Sequence, residues 1–303
     1  MSQAYIDTVG VERVASPGSA GKADAFTAEQ SLAFMELAGI ETAILSVSAP
    51  GIELETSEKT ARLARECNEA QARYVRDHRG RFGMLAILPL PDIDASLAEI
   101  AYAFGTLQAD GAVVMSNYGG EYIGSPRFDP VFAELNRRKS VLLVHPCQPL
   151  GYRGFPGVSL STLEFPFNTV RAMVSVLYHG TPEQFPDIRF IWSHAGGAMP
   201  YMAGRTAALS QRNAQFMLRG PEKMTQALRG FYYDVTQSLS RPTFAALSTL
   251  APFDHILFGS DCPFASEGLV RASLAEMDAL SLTAEQRQQL DRGNALKLFP
   301  RFA

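Results

Sequence analysis

The sequence predicts an α/β fold on a parallel sheet, with a (β/α)8 TIM-type barrel as the leading arrangement. Two observations carry this. Short apolar runs alternate with longer amphipathic stretches along all 303 residues. Most of those runs also lack polar alternation, as parallel strands covered on both faces should. The runs are TAILSV (42–47), FGMLAIL (82–88), GAVVMS (111–116), SVLLVH (140–145), IRFIWSH (188–194), FYYDVT (231–236) and HILFGSD (255–261). These make seven strands. An eight-stranded barrel would then lack its first, and a seven-stranded or doubly wound sheet has the same periodicity. No linker and no repeat divides the chain, so residues 1–303 read as one domain.

The intervening helices have legible ends. The chain opens into loop, and Thr27 with Gln30 then forms a capping box before a helix that Gly39 closes. Leu63, Cys67, Ala70 and Tyr74 share the face of the next helix. Leu97, Ile100, Ala101 and Phe104 mark another, capped at Asp94. Asp129-Pro130 opens a further one with proline at the first helical position, and Thr283 with Gln286 starts the last. Segments 10–25, 117–127 and 146–162 are rich in Gly, Pro and Ser; the last two follow strands, where a barrel keeps its active-site loops.

Composition narrows the function classes. A net charge of −4 without a basic block disfavours nucleic acid and anionic membranes. The 47 % of hydrophobic residues suffice for a large core, yet no run is long enough to span a bilayer. The start MSQAYIDTVG has neither the basic end nor the apolar stretch of a secretory signal. Three cysteines, Cys67, Cys147 and Cys262, form no CxxC pair, which fits a reducing cytoplasm.

Three polar residues stand at the C-terminal ends of strand runs: His145, followed by Pro146; His194, followed by Ala195-Gly196-Gly197; and Asp261, followed by Cys262-Pro263. In a parallel barrel those ends share one rim, so the three converge. Two imidazoles and a carboxylate suit zinc or manganese, and the acid can also move a proton beside the metal. A lone strand-end histidine is commonly a hydrogen-bonded core residue, and an aspartate there is commonly a cap. The case therefore rests on the three together. His78, His179 and His255 read as structural, and so do Cys147 and Cys262. No GxSxG, GxxxxGKS/T or GxGxxG is present.

The strings LLVHPCQP, FIWSHAGGAMPYMAGR and ILFGSDCPFA resemble the metal-dependent decarboxylase branch of the amidohydrolase superfamily. That branch includes aminocarboxymuconate-semialdehyde, dihydroxybenzoate and 6-methylsalicylate decarboxylases. ETAILSVSAPG, ELNRRKSVLLVHP and EFPFNTVRAM are similar to the last of these, and the likeness runs from about Phe26 to Phe299. The resemblance implies that His145 and Asp261 ligate a divalent metal, zinc first and manganese or magnesium next. It implies that Asp261 can also transfer the proton and that His194 is an acid–base histidine beside the metal. It implies further that Arg205 grips a substrate carboxylate, in some relatives across a dimer interface, and hence a homodimer. Lys22 falls where some relatives place another carboxylate-binding cation. Glu164 and Thr169, in the EFPFNT string, line the pocket or start a helix. Phe165, Phe167, Trp192 and Phe264 are available to stack on an aromatic ring or to fill core.

The expected activity is non-oxidative decarboxylation of a small hydroxylated aromatic acid of salicylate type. The alternatives are a metal-dependent hydrolase of a lactone or amide and a truncated, non-catalytic barrel. One departure stands out. The family begins with a His-x-His pair at the end of its first strand, and this sequence has none. The expectation is a start roughly 10–20 residues further upstream, given ordinary strand and loop lengths.

Overall fold

All seven apolar runs form strands of one sheet: β1 Ala43–Leu45, β2 Phe82–Ile87, β3 Gly111–Met115, β4 Val141–His145, β5 Arg189–Trp192, β6 Tyr232–Asp234 and β7 Ile256–Leu257. The computed structural model describes residues 3–14, 26–152, 155, 157–212 and 220–303. Neighbouring strands are parallel throughout and pair in chain order, each crossover returning beside the strand it left. The central strands are apolar because both faces are covered: every residue of β2 and β3 is buried. β1 and β7 are the edges, and β1 is only half-buried.

The strands end earlier than the apolar runs. His194 lies two residues beyond Trp192, in a short turn, and Asp261 lies four beyond Leu257; neither ends its strand. His145 does end β4. The reason is local. His194, Ala195 and Asp261 have φ of 55°, 57° and 55°, a left-handed backbone that no strand can continue.

The helices named here are α1 Gln3–Val9, α2 Ala28–Ala38, α3 Ser57–Asp77, α4 Ile93–Gly105, α5 Asp129–Arg137, α6 Glu164–His179 and α7 Met199–Leu209. The Thr27–Gln30 and Thr283–Gln286 capping boxes form, and Gly39 closes α2 with φ 67°. The cap of α4 is Asp92, whose carboxylate accepts from the Ala95 amide, and Asp94 sits inside the first turn. Pro130 is one place later in α5 than the sequence suggested. The chain opens on helix α1, where a loop was expected, because Tyr5, Ile6 and Val9 bury one face and the Tyr5 hydroxyl donates to the Gly51 carbonyl at 2.8 Å. Segment 117–127 holds a small hairpin of Asn117–Tyr118 against Glu121–Tyr122.

Asn68 on α3 shows how a helix is locked to the sheet. Its buried amide accepts from the Ile87 N–H at 2.9 Å, donates to the Ile87 carbonyl at 3.0 Å, and donates to Glu99 at 2.8 Å. Glu99 in turn pairs with Arg65, whose guanidinium lies over the Tyr102 ring. Truncation leaves two backbone groups and a buried carboxylate short of partners, each worth about 1–3 kcal/mol. Asn68→Ala is expected to destabilise the protein by about 2–4 kcal/mol in equilibrium urea unfolding.

Candidate active site

The parallel sheet puts the ends of β4, β5, β6 and β7 on one rim, and the side chains that follow them meet over a cavity of about 890 Å³. His145, His194 and Asp261 line it, and their ligand atoms lie within 4.8 Å of one another. The sequence pattern singles out these three, and tertiary structure brings them together.

His145 is buried, and its Nδ1 lies 2.7 Å from the Pro146 carbonyl. A carbonyl only accepts, so Nδ1 carries the hydrogen; the Ala49 amide, 3.4 Å from the same nitrogen, is then no true donor to it. This tautomer leaves the Nε2 lone pair free, as in metal-ligating histidines whose other nitrogen is anchored. The His194 ring stands edge-on to His145 at 5.5 Å, and its Nδ1 is buried with no hydrogen-bond partner among the described residues. Burial drives both imidazoles toward the neutral form, His145 down to about 3 with His194 as a second cause, and His194 down to about 4. Burial, aided by the nearby Asp234 carboxylate, pushes Asp261 up to about 7. Gln237 donates to Asp261 at 3.4 Å.

These features fit a divalent cation. Two neutral nitrogens and a carboxylate are a zinc- or manganese-compatible donor set, and among the described residues a buried imidazole nitrogen stands without a partner and the desolvated carboxyl lacks a cationic neighbour.

The other expected residues are placed differently. Arg205 is exposed on α7 and does not line the cavity. Glu164 begins α6 and lies 3.9 Å from Arg171, while the buried Thr169 hydroxyl donates to the Phe165 carbonyl at 3.1 Å; neither lines the cavity. Phe264 lines it, and Phe165 stands edge-on to His145 at 6.2 Å. Trp192 is fully buried, stacked on Phe190 and edge-on to Phe231, and so belongs to the core; Phe167 is exposed. Lys22 lies outside the described residues.

The other histidines are structural, as expected. His78 caps α3, His179 bonds the Ser175 carbonyl, and His255 stacks on Tyr232. The Cys147 thiol packs against Ser116 and Asn117 with its ionisation suppressed by burial, and Cys262 is pushed up to about 12.

Asp234 was missed. It ends β6 between the strands that lead to His194 and Asp261, and it lines the cavity. Its signal was available: a carboxylate inside the otherwise apolar run FYYDVT is costly without partners.

The amidohydrolase family model, Amidohydro_2, matches residues 19–301, and the chain belongs to that family. Among its relatives, the 6-methylsalicylic acid decarboxylase of Penicillium expansum is 37 % identical over 268 residues, covering 86 % of this chain and 82 % of that protein. A solved structure described as amidohydrolase II superimposes with a TM-score of 0.91 at 25 % identity, covering 99 % of this chain and 97 % of that one. A 2,6-dihydroxybenzoate decarboxylase solved with 2,6-dihydroxybenzoate superimposes with a TM-score of 0.80 at 26 % identity, covering 90 % and 87 %.

A divalent metal held by these three groups would bind with a pH dependence that the site sets. Asp261 must ionise to serve as a ligand, whereas both imidazoles are already neutral above pH 5. Apparent affinity for Zn or Mn, by calorimetry, is expected to fall about tenfold per pH unit below about pH 7 and to level off above it. Stability of the metal-free protein carries the opposite sign. A carboxyl whose pKa is raised on folding contributes fully below its unfolded value near 4 and loses that contribution as pH rises through about 7. Metal-free Asp261→Asn is therefore expected to melt above wild type at pH 8, with the gap closing at pH 5, while binding no metal.

Proposed function

We propose that the protein is a metal-dependent carboxy-lyase that removes CO2 from a small hydroxylated aromatic acid of salicylate type. The observation that carries the reading is the His145–His194–Asp261 cluster in the cavity of a chain 37 % identical to a 6-methylsalicylic acid decarboxylase. The lactone or amide hydrolase that the same donors could serve, and a non-catalytic barrel, have no support from the named decarboxylases.

The fold reading is a single (β/α)8-barrel domain over residues 1–303 with seven staves described. Parallel pairing in chain order supports it, as does the cavity bordered by both sheet edges, with residues of β1 and β7 among its lining. Gln71, whose side-chain amide is buried without a partner among the described residues, also lines this cavity. Three free thiols fit a reducing cytoplasm.

In this reading His145 and Asp261 hold the ion, zinc or else manganese or magnesium. When bound, it supplies Lewis acidity toward the substrate's carboxylate and ortho hydroxyl. The reaction converts a ring carboxylate and one proton into an arene and CO2, so a proton must reach the ring carbon that bears the carboxylate. Asp261 is the donor: as the acid that lines the cavity beside His194 it can pass a proton to the ring carbon, and it regains one from water between turnovers. Protonation breaks aromaticity and weakens the C–C bond. His194, neutral beside this carbon, stabilises the developing charge through its ring nitrogen, and Phe264 packs against the substrate ring.

Arg205 acts from a second copy of the chain. Tyr201, one turn earlier on the same helix, is 87 % exposed, and Leu163 and Phe167 at the start of α6 are exposed too. α6 and α7 are neighbours, with the Ala198 amide facing the Pro166 carbonyl. An apolar patch around an arginine suits a homodimer face that delivers a guanidinium to the partner's carboxylate substrate. Glu164 and Thr169 support this rim by shaping the start of α6.

Zn- or Mn-loaded protein is expected to release CO2 from 6-methylsalicylate or 2,6-dihydroxybenzoate. Asp261→Asn and His194→Ala are each expected to lower kcat by about 10²–10⁴. Ring opening of a lactone panel without any CO2 would reverse the assignment. Mixing inactive Arg205→Ala with inactive His145→Ala is expected to restore activity, since a mixed dimer carries one intact site; no recovery would mean that Arg205 does not act across a subunit interface.

A further inference from the structure

The geometry points to Asp234 as the positioning residue that fixes the direction of the His194 imidazole by holding its backbone. The inference rests on the acid–base reading of His194. It concerns a residue that makes no hydrogen bond to the imidazole itself.

The turn that carries His194 is strained. His194 and Ala195 are left-handed at φ 55° and 57°, and Gly196 and Gly197 follow at 71° and 61°. Left-handed backbone costs a non-glycine residue about 1–2 kcal/mol, and it persists only where the surroundings impose it. No hydrogen bond anchors the Nδ1 side of the ring among the described residues. The orientation of the imidazole is therefore inherited from the backbone beneath it.

That backbone is pinned by Asp234. Its Oδ1 accepts from the His194 N–H at 3.0 Å and from the Thr236 N–H at 3.0 Å. One carboxylate oxygen thus joins the turn after β5 to the strand end of β6, whose ladder with β5 runs through Trp192 and Tyr233. The neighbouring strand end makes room for this bridge. A Cβ on Gly259 would press into the Thr236 hydroxyl and reach the Asp234 carboxyl carbon at 3.3 Å. Gly197 is needed on the other side, where a Cβ would collide with the Pro166 carbonyl. The turn is clamped between β6 and α6, and Asp234 is its only side-chain acceptor among the described residues.

Two substitutions separate positioning from charge. Asp234→Asn keeps an oxygen at the acceptor position and removes the charge; Asp234→Glu keeps the charge and displaces the oxygen by a methylene. Positioning predicts that Asp234→Asn stays within about fivefold of wild-type kcat, and that Asp234→Glu and Asp234→Ala each lose about 100-fold with KM changed less than about threefold. In the metal-free protein, the NMR signal of the His194 backbone amide, set downfield by the carboxylate bond, should persist in Asp234→Asn and move upfield in Asp234→Glu. The inference is overturned if Asp234→Glu is more active than Asp234→Asn, if Asp234→Ala keeps wild-type kcat, or if the amide signal ignores all substitutions. Should Asp234→Ala fail to fold, the Asn and Glu pair decides. If no hydroxybenzoate is decarboxylated by wild type, the proposed function fails, and the metal-free amide signal still decides whether Asp234 holds the turn.

Discussion

The constraint on which everything else depends is the direction of the backbone in a parallel sheet. Each strand delivers its C-terminal end to the same rim, so groups far apart in the chain need no long-range recognition of their own to meet. Burying β2 to β4 on both faces fixes the register, and fixed register holds the rim. His145 continues the ladder to its last position, opposite Met115, and is the one member of the cluster that lies within a strand.

Around that rim the chain accepts unfavourable local states. His194, Ala195, Gln237 and Asp261 all have left-handed backbone, and two imidazoles and two carboxylates are buried or half-buried. The two imidazoles respond by staying neutral. The carboxylates respond differently: Asp234 gathers the amides of His194 and Thr236, whereas among the described residues Asp261 has only a long contact from Gln237. The poorly satisfied carboxylate is the one left to meet a cation or carry a proton, and the well-satisfied one shapes the turn.

Much of this was legible in sequence because burial leaves a simple mark. Unbroken apolar runs disclosed the strands, Thr27–Gln30 and Thr283–Gln286 disclosed two helix starts, and polar residues at the ends of apolar runs disclosed His145, His194 and Asp261. The cap at Asp92 was displaced by two residues because Asp92 and Asp94 offer the same chemistry and only the backbone chooses. Trp192 could not be told from a pocket aromatic, since strand residues alternate between the two faces of the sheet and composition does not say which is which. Arg205, Glu164 and Thr169 carry no mark of depth, and their distance from the cavity lining is purely a matter of helix placement.

The sequence alone determined the parallel α/β architecture, the places of its strands along the chain and the identity of the three convergent groups, because alternation and hydrophobic runs are local properties of the chain. Only the tertiary structure decided that Asp234 stands behind His194, which imidazole nitrogen is free, and which aromatic rings face the cavity. Those are relations between neighbouring strands and between layers. Register and left-handed turns set them, and no single segment encodes either by itself.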